Sequence, residues 1–318
     1  MTNDKRHPEE KMATLATTSA ANTGSGSKNN AGSIALKIGT YVLLGLWAAI
    51  VIYPMAWSVL SAFKTDIEIF DNPWAFPLKW IFSNFARAWT KAQIGSYIGN
   101  TFLVIIPGIF LTLLFSSMAA YVFARYEFKA KKFLSTVFLL GLMFPIYLAL
   151  VPLFLVMKYI GQFLGIPMLN TFHGLTIVYV SFSLSWTIFF MTGFFKTLPK
   201  EIAEAATIDG ASHAEIFFKV MLPLAKPGLV SAGIFNFLGQ WNQFILPTVL
   251  MSNANVPEGQ TRYVVSQGLY YFQNQQRYQS DWSGLFAAVA IITLPTLLVY
   301  IIFNNSIEKG LTVGAVKG

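Results

Sequence analysis

The chain has 318 residues, of which 55% are hydrophobic and 11% charged, with no cysteine and a formal charge of +8. A soluble domain carries about 25% charged residues, so this composition excludes an ordinary water-soluble globule. The missing cysteines exclude disulfides, thiol nucleophiles and thiolate metal sites. The bases form no patch interleaved with stacking aromatics, which sets nucleic acid aside.

Residues 1–33 are low in complexity, with Ala, Thr, Ser, Asn and Gly dominating from Ala13 to Ser33. This reads as a disordered cytoplasmic tail, with a docking arm as the alternative, and it lacks the apolar core of a secretory signal. Residues 34–318 then carry six stretches free of Asp, Glu, Lys, Arg and His: Ile38–Phe63, Thr101–Ala124, Phe133–Met157, Gly174–Phe195, Gly228–Leu250 and Leu285–Ile307. Each reaches the ~20 residues that cross a hydrocarbon core as a helix. Backbone groups in lipid must pair within their own segment. The expected fold is therefore all-α, a polytopic membrane bundle of six helices. Pro145 and Pro152 bend the third span, as a static kink or as part of a gate. In the outer loop Lys64–Asn100, Trp74, Phe76, Trp80, Phe82, Phe85 and Trp89 suit the membrane interface, or contact with an external protein. The loop Ser252–Trp282, with Tyr270, Tyr271, Gln273 and Asn274, reads as a second docking loop or a polar cap.

The loop 197–223, between the fourth and fifth spans, carries the most pattern. Pro199 suits a helix start, and Glu201 and Glu204 sit near the positive end of that helix. Ile202, Ala205 and Ala206 form a narrow stripe of small side chains. Gly210 fits a left-handed helix end, Ser212 and Glu215 form a capping box, and Pro223 and Pro227 limit the second helix. The result is a helix-turn-helix with a net charge of −3 from Lys200 to Glu215. Surface-lying membrane helices are usually basic, so an acidic one favours a protein partner. With this loop in the cytoplasm, 15 of the 22 Lys and Arg lie on its side of the membrane and 7 on the other. That matches the positive-inside rule with both termini cytoplasmic.

Glu204-Ala205-Ala206, then Gly210, Val220, Leu222 and Pro223, resemble the EAA motif of ABC importer permeases, with Val220 where isoleucine is commoner. Ala120-Tyr121-Val122-Phe123-Ala124-Arg125, Trp241-Asn242-Gln243-Phe244 and Gly310–Gly318 resemble the sugar-importer branch, specifically the maltose-type second permease. That branch more often has Glu where Gln243 stands. The resemblance covers roughly Ile38–Gly318. It implies a permease in the cell membrane of a bacterium or archaeon, moving a sugar or oligosaccharide. It also implies partners: a second permease in a heterodimer, two ATPase subunits and an extracellular solute-binding protein. The coupling residues carried over are Glu204, Ala205, Ala206, Asp209, Gly210, Leu222 and Pro223, and the C-terminal segment through Lys317 is expected to reach the ATPases. Permeases for polyamines, phosphate or peptides share the loop motif and remain alternatives.

No catalytic, cofactor or metal site is expected in this chain. His7, His173 and His213 have no metal-ligand spacing, and no G-x-x-x-x-G-K-[ST] occurs. The spans hold no ionisable group. An ion-driven transporter, the other alternative, usually places one there, so energy is expected to enter through the cytoplasmic loop. Asn236, Gln240 and Gln243 fall at i, i+4 and i+7 of the fifth span, beside Trp241 and Asn242. Two readings of this stripe stand: a sugar path, which amides and aromatic faces suit, and interhelical hydrogen bonding. Ser181, Ser183, Ser185 and Thr187 of the fourth span read as packing residues.

Overall fold

A computed structural model describes residues 29–252, 256–257 and 260–315. It comprises two compact units, Met1–Trp57 and Ser58–Gly318. Residues 1–28 of the expected tail and 316–318, with Lys317, lie outside the described residues. In the first unit the described part is one helix, α1 (Asn29–Ser61), which begins within the segment read as tail and runs on into the second unit. Its Pro54 lies inside the helix, a placement that membrane helices tolerate.

The second unit is helical among its described residues. Short α2 (Asp66–Asp71) and α3 (Ser83–Thr90) precede the long α4 (Ile94–Arg125). Next come α5 (Lys131–Met143), α6 (Ile146–Leu164) and α7 (Phe172–Thr197). The loop 197–223 holds α8 (Lys200–Ile208) and much of α9 (His213–Leu224). The chain ends with α10 (Lys226–Trp241), α11 (Ile245–Leu250), α12 (Val265–Gln279) and α13 (Trp282–Ala315). Among the described residues five helices are long and apolar enough to cross a membrane: α1, α4, α6, α7 and α13. The pair α9 and α10, bent by 73°, makes a sixth if counted as one span.

The frame is α4 against α7, with α10 and α13 packed beside them. Small residues allow the close approach that association in lipid needs. On α4 Gly108, Ser116, Ser117 and Ala120 are buried, and on α10 Gly228, Ser231 and Ala232. A Cβ on Gly228 would lie 2.6 Å from the Phe194 ring, so only glycine lets α10 meet α7 there.

Two cores form, one at each end. At one end Ile94, Tyr97, Val104, Leu175, Trp241 and Leu285 cluster. There the loops are pinned by polar bonds: Asn84 Nδ2 donates to the carbonyls of Ala62 and Lys64 at 2.9 Å. Arg87 pairs with Asp281 at 2.8 Å, and Asn100 Nδ2 donates to Thr261 O and Tyr263 O. At the other end Tyr121, Met191, Phe195, Ile216, Phe217 and Met221 form the inner core. The loops 126–130 and 197–223 meet there.

Two expected spans differ in detail. Phe133–Met157 is not one bent helix. Phe144 is extended at ψ 120, as a residue before proline prefers, and Pro145 starts α6 anew. Pro152 lies inside α6, which continues past Met157 and Lys158 to Leu164. Gly228–Leu250 is likewise interrupted after Trp241, where the Gln243 side chain accepts the Ile245 N–H at 3.2 Å. The loop Ser252–Trp282, read as a second docking loop or a polar cap, contains α12.

Candidate functional site

The loop 197–223 is built by local bonds its sequence specifies. Pro199 caps α8 at its N-terminus. At the other end Gly210 takes φ +82. Its N–H donates to Thr207 O at 3.1 Å, and Ala211 N–H to Ala206 O at 3.0 Å. This is a Schellman motif, in which a left-handed residue lets two orphan carbonyls be satisfied. Its usual apolar contact is present, since Ala206 and Ala211 both pack on the inner core.

Ser212 then caps α9. Its hydroxyl accepts the Glu215 N–H, and Glu215 accepts the Ser212 N–H at 3.0 Å and hydroxyl at 2.9 Å. Lys219 Nζ adds a bond to Glu215 at 2.8 Å. These contacts hold the Glu215 carboxyl down at about 2, with the Lys219 bond the largest cause and the Ser212 N–H next. From Ile216 to Met221 the backbone is a π-helix. Its wider turn sends Ile216, Phe217 and Met221 inward together. Leu222 packs half-buried on the inner core, and Pro223 is exposed in the last turn of α9.

The stripe of Ile202, Ala205 and Ala206 divides between two faces. Ala206, with Ala203, faces the inner core, while Ala205 points to solvent. Glu204, Asp209 and Gly210 are exposed as well. Among the described residues Glu201, Glu204 and Asp209 make no ion pair. Ile208, between these acids, is 87% exposed. The outer face of α8 is thus acidic around one bare isoleucine.

The end of α4 holds the loop. Arg125 Nη2 donates to Leu198 O at 2.8 Å, over the C-terminus of α7. Tyr126 Oη lies 3.0 Å from His213 Nδ1. Tyr121 packs its ring at 5.6 Å from Phe195 and 5.2 Å from Phe217. In the sequence Tyr121 and Arg125 carry only the resemblance to the sugar-importer branch, with no role attached. Their position at the end of an uncharged span was the available signal. A hydroxyl or guanidinium placed there either snorkels to solvent or binds a neighbouring loop.

The polar stripe faces α7. Asn236 Nδ2 donates to Thr187 Oγ1 at 3.0 Å and to Ala232 O at 2.9 Å. Gln240 Nε2 donates to Ser183 Oγ at 3.2 Å. Ser183 and Thr187, read as packing residues, are hydrogen-bond partners of the stripe, and they stand at i, i+4 on one face of α7. Asn236, Gln240 and Gln243 line one cavity of ≈ 300 Å³ with Tyr179, Phe182 and Trp186. Gln240 Oε1 is buried without a hydrogen-bond partner. The oxygen lies against Gly108 of α4, and a buried acceptor left unpaired costs about 1–3 kcal/mol. Trp241 does not join this group. It is buried between the rings of Phe102 and Phe237, at 5.4 and 5.5 Å, and borders a separate cavity with Asn242 and Tyr270.

Known proteins resemble this chain along most of its length. A family model described as the binding-protein-dependent transport system inner membrane component matches residues 112–313. The chain is 42% identical over 278 residues to the diacetylchitobiose uptake system permease protein NgcG of Streptomyces coelicolor, covering 87% of this chain and 88% of that one. It is 31% identical, over 87% of this chain and 88% of the other, to the probable ABC transporter permease protein YurM of Bacillus subtilis. The fold matches a chain in the crystal structure of a bacterial alginate ABC transporter in complex with its pentasaccharide-bound periplasmic protein. The TM-score is 0.61, over 85% of this chain and 93% of that chain, at 17% identity.

Proposed function

The chain belongs to the family of binding-protein-dependent transport system inner membrane components, and from that premise we propose that it is the permease subunit of an ATP-driven importer of oligosaccharides. It is a multi-pass membrane component of a transport system, and its energy and its cargo are handed to it by other subunits. The finer assembly in this reading is a heterodimer with a second permease, two ATPase subunits and an extracellular binding protein. The cargo follows from the relatives: one similar at 42% identity serves diacetylchitobiose uptake.

The observation that carries the reading is the form of the loop 197–223. Its backbone is fixed by the Schellman turn at Gly210 and the capping box at Ser212, while its acids and Ile208 face outward. In this reading Glu204 and Asp209 meet cations in a cleft of the ATPase and Ile208 enters an apolar pocket there. When the ATPases close on ATP, the loop moves as one piece. Arg125 and Tyr126 carry the displacement to α4 and α7. The bend at Ala225 carries it to α10, whose Asn236 and Gln240, with Gln243 just beyond its end, border the path. There the amides of Gln240 and Gln243 meet sugar hydroxyls, and Trp186 and Tyr179 offer ring faces to its C–H surfaces.

The experiment is uptake into proteoliposomes holding the whole complex and its binding protein, with labelled diacetylchitobiose and maltodextrins. ATP-dependent accumulation of an oligosaccharide is the expected result. Accumulation driven by an ion gradient without ATP overturns the importer class, and ATP-driven uptake of polyamine, phosphate or peptide alone overturns the cargo.

A further inference from the structure

A cavity of ≈ 360 Å³ opens between α5 and α7 at the end where Arg125 meets the loop 197–223. It shares no lining residue with the cavity of the polar stripe. Its wall is apolar, made chiefly by Phe123, Phe138, Leu139 and Phe189. It offers no amide or carboxylate to a sugar. A Cβ on Gly193, which also lines it, would meet nothing within 4 Å, so the space there is open.

The charge lies at one end. Lys196 borders the cavity from the last turn of α7, in line with Phe189 and Thr192 at helical spacing. On α5, Lys132 stands three residues before Ser135 and seven before Leu139, on the face that lines the same space. Among the described residues neither lysine has an ion-pair partner, whereas neighbouring Lys131 is bound to Glu127 at 2.6 Å. An apolar groove thus ends at the unpaired ammonium of Lys196, with unpaired Lys132 about one helical turn beyond the lining residue Ser135. Basic pockets of this kind between membrane helices suit anionic head groups. We propose that the α5–α7 groove binds an anionic phospholipid of the cytoplasmic leaflet, with an acyl chain against Phe138 and Phe189 and the phosphate at Lys132 and Lys196. The site does not depend on which solute the protein carries. A lipid seated there braces the end of α7, from which the loop 197–223 begins.

The test uses the intact complex in detergent, exchanged with phosphatidylglycerol or phosphatidylcholine, with retained lipid counted by mass spectrometry. Wild type is expected to retain phosphatidylglycerol over phosphatidylcholine. Lys132→Gln and Lys196→Gln should each lower that preference about fivefold. Gly193→Leu, which extends into open space, should displace the lipid while the complex still assembles. Equal retention of the two lipids, or retention unchanged in all three variants, overturns the proposal. So does efficient disulfide formation between Gly193→Cys and a cysteine on the second permease, which would show the groove covered by protein.

Discussion

Replacing Gly210 by valine isolates the backbone of the coupling turn. The glycine has φ +82, and a Cβ there would meet nothing within 4 Å, so the substitution creates no clash with a neighbour. Its effect is conformational. A non-glycine residue in the left-handed region costs roughly 1–2 kcal/mol, and a β-branched one more. One to two kcal/mol is a factor of about 5–30 in a local equilibrium. The two bonds at stake, Gly210 to Thr207 and Ala211 to Ala206, hold the junction between α8 and α9. Gly210→Val should therefore lower sugar uptake at least about fivefold while membrane insertion and subunit assembly persist. Asparagine tolerates the left-handed region, so Gly210→Asn should keep most of the activity. The assay is uptake by reconstituted complex, with assembly checked by co-purification. The reasoning is refuted if valine leaves uptake intact, or if asparagine is as damaging as valine. The latter result would mean that side-chain volume against a partner, and not φ, governs the position.

Other substitutions probe the remaining links. Arg125→Ala removes the bond to Leu198 O and should reduce sugar moved per ATP hydrolysed; an unchanged ratio means that Arg125 does not transmit the stroke. Gln240→Leu loses one interhelical bond, typically ~0.6 kcal/mol, together with the unpaired oxygen, so thermal stability should barely change while uptake falls. Unaltered uptake assigns the stripe to packing. Glu215, held at about 2 against an ordinary 4.5, contributes its cap fully above pH 4.5. That contribution is lost as pH falls through about 2. Carboxyl NMR of the solubilised protein should show this midpoint, and a midpoint near 4.5 would mean that the Ser212 box does not form.

The sequence made the local features legible and left the distant ones hidden. Gly210 and the Ser212–Glu215 pair announce their turns because both are short-range devices with fixed residue types. The uncharged runs announce spans because lipid filters composition over ~20 residues. Composition does not report where such a run breaks. Pro145 and Pro152 look alike in sequence, yet one separates α5 from α6 and the other sits inside α6. The difference is the partner each segment packs on: α5 lies on α7 and α6 on α11. In the same way the periodicity placed Asn236 and Gln240 on one face, but nothing local paired them with Thr187 and Ser183, 49 and 57 residues away. Trp241 sat beside the stripe in sequence and lies apart from it in space, because its ring is taken up by Phe102 and Phe237.

The central claim is that the ATPase grips the loop 197–223. The chain has no cysteine, so single cysteines at exposed Ala205 and Ile208 and, as a control at the opposite end, at Trp74 report contact without background. Cross-linking in the assembled complex should join Ala205→Cys and Ile208→Cys to an ATPase subunit, with a yield that changes on adding ATP, and should leave Trp74→Cys unlinked. No adduct from either loop position, or an ATPase adduct from Trp74→Cys, would contradict the account.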